Sequence, residues 1–100
     1  MFYTLVGGLS VPCTAAEWGI RRVARAVKAN VTVSTVFLGI DHGYRAGLPL
    51  LFETMVFGGK HDQWQGRCST WGQAEKQHKR ACKMAFSKKA SVLSLKVDRP

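Results

Sequence analysis

The segment Val31-Thr-Val-Ser-Thr-Val-Phe-Leu-Gly-Ile40 constrains this chain more than any other. It is rich in β-branched and aromatic residues, which fit a pleated and half-buried surface. Val31, Val33, Thr35 and Phe37 fall on one face of such a strand; Thr32, Ser34, Val36, Leu38 and Ile40 fall on the other. A second run, Leu50-Leu-Phe-Glu-Thr-Met-Val-Phe57, is closed by Gly58-Gly59. The loop between them, Asp41 to Pro49, has about nine residues, and a parallel crossover needs a dozen or more. The two runs, about 31–40 and 50–57, therefore predict a long antiparallel hairpin.

The flanking segments predict the rest of an α+β fold. Phe2 to Val6 reads as a short strand turned by Gly7-Gly8. Thr14 with Glu17 three residues on matches a capping box, which predicts a helix over about 15–28. Trp18, Arg22 and Arg25 would then lie near one face of it. Val23 to Val27 also alternates weakly, as the start of a strand would. Thr70 with Gln73 is a second capping box, predicting a helix over about 70–86. Trp71, Ala74, His78, Ala81, Cys82 and Ala85 recur on it at helical spacing. Residues 91–97 alternate and suggest an edge strand. The resulting order, β-α-β-β-α-β, is that of the ferredoxin-like split βαβ motif. One hundred residues in this arrangement make a single domain over 1–100.

Composition narrows the function classes. The chain is 46% hydrophobic and 21% charged, as globular domains are. Cys13, Cys68 and Cys82 have neither metal-ligand spacing nor the even count of a disulfide framework. No apolar run is long enough to span a bilayer, and Met1 to Leu5 lacks the basic region of a signal peptide. A cytoplasmic protein with reduced thiols, no metal and no cofactor is the expectation. Asp41-His42 follows the best strand, and Glu53 lies inside the facing one, flanked by apolar residues. Depending on register, Glu53 would approach Ser34 or His61. A carboxylate and a histidine at a cleft suit general acid–base work, as in a small hydrolase or nuclease. The plainer reading, turn residues and a solvated or paired carboxylate, is preferred. His78 and Cys82 are one helical turn apart, but their expected role is packing rather than ligation.

Charge is the stronger signal. Lysine and arginine outnumber acids 15 to 6, for a net charge of +9. Such a balance attracts nucleic acid or an acidic protein face over long range. Arg21, Arg22, Arg25 and Lys28 lie on the first expected helix, and Lys76, Lys79, Arg80 and Lys83 form a stripe on the second. Two helices on one sheet face would merge these into a shared positive surface. Trp64, between Gln63 and Gln65, is a candidate for stacking on a base or anchoring a partner, or else covers a core edge.

Three blocks occur in order: Val31 to His42, Pro49 to Gly59, and Arg67-Cys-Ser-Thr-Trp71 followed by Ala74, Glu75 and His78. Together with Trp18 they resemble a recurrent family of small phage and prophage proteins of unassigned function. The resemblance covers about residues 13–82 and carries over no catalytic residue. The chain departs from the family pattern in its basic first segment and in its basic stretch after Lys79. The resemblance implies a phage accessory protein in a host cell. Its implied action is stoichiometric binding to a host complex, such as a defence complex blocked by an anti-CRISPR-type inhibitor. A direct nucleic-acid-binding module is the alternative, and the hydrolase or nuclease reading ranks third.

Overall fold

A computed structural model describes residues 1–40 and 47–87. Seven elements follow one another: β1 (Phe2–Val6), β2 (Leu9–Cys13), β3 (Arg21–Lys28), β4 (Val31–Phe37), β5 (Phe52–Phe57), β6 (Gln65–Cys68) and α1 (Trp71–Ala85). β1 and β2 form a two-stranded hairpin, and β3-β4-β5-β6 form an antiparallel meander. The fold is α+β, built on the expected hairpin of β4 and β5, which pair from Thr32↔Phe57 to Phe37↔Phe52.

The expected helix over 15–28 is the main correction. Only half of its capping box forms: the Glu17 amide bonds the Thr14 carbonyl instead of the hydroxyl, while the Thr14 amide and hydroxyl both donate to Glu17 Oε1, at 2.9 and 3.1 Å. These bonds hold the Glu17 carboxyl below its ordinary range. The box closes only a turn. The Trp18 indole N–H donates to the Leu38 carbonyl at 2.7 Å and its ring packs on Phe2, which draws the chain towards the sheet. Residues 21–28 then pair with β4. Their register shifts between Arg22 and Ala24, a β-bulge at Val23. The bulge lets both Val23 and Ala24 lie on the core side and leaves Arg22 and Arg25 together on the other. A spacing of three on one face, which reads as helical, is produced here by a bulged strand.

The β-α-β-β-α-β order is accordingly not the order of the described residues, which runs through six strands to one helix. The expected strand over 91–97 lies outside the described residues, as do Asp41 and His42. The second expected helix forms as read. The Thr70 hydroxyl accepts from the Gln73 amide, and the Gln73 side chain accepts from the Thr70 amide. No helix of the described residues is long and apolar enough to cross a membrane.

The core lies between α1 and one face of the meander. Val33, Thr35 and Phe37 of β4 alternate as buried residues, and Phe52, Thr54 and Val56 of β5 oppose them. Ala74 packs against Phe37, Leu51 and Phe52; Ala81 packs against Val33 and Val56. Small residues on α1 allow the helix to approach the sheet closely. The first hairpin joins through Gly39: the Tyr3 amide donates to its carbonyl at 2.7 Å. A Cβ on Gly39 would stand 2.7 Å from both the Tyr3 carbonyl and the Trp18 indole nitrogen, so only glycine fits.

The tight β3–β4 turn holds a stored cost. Ala29 sits in the left-handed region at φ 52°. An L-residue with a Cβ costs about 1–2 kcal/mol there relative to the right-handed region. Ala29→Gly is expected to raise stability by about 0.5–1 kcal/mol, read as a higher urea midpoint at unchanged slope.

Candidate functional site: basic surfaces on two sides of the sheet

Strand alternation sorts the side chains of the meander into two faces. The face away from α1 carries three rows, read from the register: Val27–Thr32–Phe57, Arg25–Ser34–Met55–Gln65 and Arg22–Val36–Glu53–Arg67. No described element packs over this face. Val27 is 55% exposed and Phe57 46%, so large apolar side chains stand in solvent beside arginines. Such an exposed apolar patch rimmed by charge is the usual composition of a contact surface.

Glu53 belongs to this face. It stands opposite Val36 and Arg67, not Ser34, and His61 is in the loop at the far end of β5. Its Oε2 accepts from Arg67 Nε at 3.1 Å and from the Gln65 amide nitrogen. That is the one ion pair among the described residues. Glu53 thus fixes Arg67 and β6, and the structure brings no described histidine to it. The acid–base cluster of Asp41, His42 and Glu53 is not assembled among the described residues.

The basic residues do not form one surface. Arg22 and Arg25 lie on the open face, whereas Arg21 and Lys28 stand opposite Phe37 and Val31, on the helix side at opposite ends of β3. Lys76, Lys79, Arg80 and Lys83 are exposed on α1, on the other side of the sheet from Arg22 and Arg25. The merged surface expected from two helices on one face is replaced by a positive patch on each side. Trp64 ends the β5–β6 loop, 36% exposed, with its ring edge beside Gly66 under Gln77 of α1. Part of its ring thus packs beside β6 and part stands in solvent.

Sequence reasoning missed two features. The first is a polar chain through the core: Thr54 Oγ1 lies 2.7 Å from Thr35 Oγ1, which lies 2.8 Å from His78 Nδ1. Both threonines are fully buried. Burial pushes the His78 ring below its ordinary pKa. His78 is therefore more than an apolar contact: its Nδ1 satisfies a buried hydroxyl. Cys82 instead packs beside Val33, Val56 and Ala81. Among the described residues no three His, Cys, Asp or Glu side chains come together. The second feature is a groove between β6 and α1, lined by Arg67, Cys68, Lys76 and Arg80. Burial raises the Cys68 thiol above its ordinary pKa, and the positive charge of Arg80 works against that shift.

The chain matches no protein-family model, no curated protein and no solved structure.

Proposed function

We propose that this protein is a non-catalytic binder that docks stoichiometrically on an acidic surface of a host macromolecular complex. The observation that carries this reading is the open sheet face. There Arg22 and Arg25 stand in register beside exposed Val27 and Phe57, with Met55 between. Arginine and aromatic residues supply most interface energy, because they combine buried area with directed hydrogen bonds. The +9 charge steers an acidic partner towards it. The resemblance of the three sequence blocks to small phage proteins supports a host-directed accessory role, including counter-defence of the anti-CRISPR type, in the host cytoplasm.

The test is affinity purification from host lysate, with and without nuclease treatment, at low and moderate salt. The wild-type chain is expected to retain a host complex at fixed stoichiometry. Arg22→Glu with Arg25→Glu is expected to weaken retention by about a hundredfold, since reversing two interface charges costs several kcal/mol. Recovery of no host complex at either salt overturns the reading. Retention that vanishes with nuclease and falls steeply with log salt assigns the face to direct nucleic-acid binding instead.

A further inference from the structure

β3 closes one end of the meander, and no described strand pairs with its outer edge. It runs eight residues, from Arg21 to Lys28. Its register with β4 ends at Lys28↔Val31, the pair that flanks the two-residue turn Ala29-Asn30. A pair in that position exchanges both of its backbone bonds, and every second pair along the ladder then does the same. Ala26 and Ala24 therefore bond inward to β4, whereas Arg25 and Val27 turn their N–H and C=O outward. The bulge at Val23 ends this regular stretch. A row of outward backbone groups is a ready template for another strand.

The side chains say which strand fits. Arg22, Arg25 and Val27 are exposed on the open face, and Arg21 and Lys28 are exposed on the other. β3 thus carries four cations and no acid. Opposite charges across a strand pair stabilise it, and like charges destabilise it. A second copy of β3 would set arginine and lysine against their like. Among the described strands only β5 holds an acid, and that residue, Glu53, is already bonded to Arg67. The charges that turn away a copy of this chain attract a strand of opposite sign.

We infer that an extended acidic segment of the protein partner adds to the outer edge of β3 as a fifth strand of the meander. The inference deepens the docking proposed above and rests on its acidic partner. Backbone bonds to Arg25 and Val27 set the register of the added strand, and acidic side chains beside Arg22 and Arg25 select it. The open face then continues onto the partner without a break.

The probe is a fluorescein-labelled octapeptide of alternating glutamate and valine, titrated by anisotropy against the full chain. Saturable binding is expected, and lysine in place of glutamate should weaken it about tenfold or more. Only alternate residues of an added strand turn their N–H to the edge. Methylating one alternate set of peptide nitrogens should therefore abolish binding, and methylating the other should leave it within about threefold. Val27→Pro removes an outward N–H and leaves the bonds to β4 in place, as proline does at sheet edges. It should weaken the octapeptide about tenfold or more. No binding, or equal effects of the two methylations, overturns the inference. Hydrogen exchange at the Arg25 and Val27 amides reads the other occupants. Slow exchange without peptide means an edge already covered, by the chain itself if independent of concentration and by a second copy if it rises with concentration; either overturns the inference. Host-complex retention that survives Val27→Pro but fails in Arg22→Glu with Arg25→Glu keeps the docking and removes the strand addition. Octapeptide binding that meets these controls, with no host complex retained, keeps the edge site and removes the docking.

Discussion

Phe52→Ala is expected to cost about 3–5 kcal/mol, the range for removing a buried phenylalanine. The side chain is fully buried at the centre of the larger core cluster. Its ring lies 5.1 Å from Phe37 and 6.3 Å from Trp71, both edge-on, and Leu51 and Ala74 complete the cluster. Alanine there would lose the transfer energy of the ring and leave a cavity that the surrounding elements cannot collapse to fill. Domains of this size are stable by about 5–15 kcal/mol, so the variant should sit near its unfolding threshold at room temperature. Urea denaturation followed by circular dichroism reads the loss as a lowered midpoint at constant slope. The control is Phe57→Ala on the same strand. Phe57 faces away from α1 and is 46% exposed, so its loss should cost no more than about 1 kcal/mol. Comparable costs for the two would mean that the second face of the meander is covered, which would remove the basis for docking there.

The hairpin at the heart of this core was legible in the sequence for a definite reason. β4 and β5 are dense in β-branched and aromatic residues, and the period of two places Val33, Thr35 and Phe37 on one side without ambiguity. The Thr70–Gln73 box was equally readable, because capping depends only on residues three apart. The same local logic misled at Thr14–Glu17. A capping box closes a turn whether or not a helix follows, and what followed was decided by pairing of Arg21–Lys28 with β4. The bulge at Val23 then set Arg22 and Arg25 three apart on one face, imitating helical spacing. Neither candidate surface was legible as a surface. The groove lined by Cys68, Lys76 and Arg80 exists only because β6 closes the meander beside α1, and the row joining Arg22 to Arg67 depends on three registers at once. Individual basic residues can be read from a sequence; which of them share a side of the sheet follows from long-range pairing.

Thr35→Val is expected to destabilise by about 2–4 kcal/mol although it conserves shape, because it strands two polar groups at once. The Thr35 hydroxyl is the middle link between Thr54 Oγ1 and His78 Nδ1. Without it the buried Thr54 hydroxyl loses its partner and the His78 ring keeps a nitrogen unsatisfied in the core. Replacing Thr35 and Thr54 together by valine should cost less than the sum of the two single changes, since no orphaned hydroxyl then remains. The same chain links stability to pH. Burial holds the folded His78 pKa below its ordinary value of 6.5, so the unfolded chain binds a proton that the folded chain refuses. The contribution of neutral His78 is fully present above 6.5 and is lost as pH falls through that value towards the folded pKa. Urea midpoints measured between about pH 7.5 and pH 5.5 should fall in the wild type and fall less in His78→Gln, which stays neutral throughout. An equal slope in both chains would assign the acid sensitivity to other groups and leave His78 a purely packed side chain.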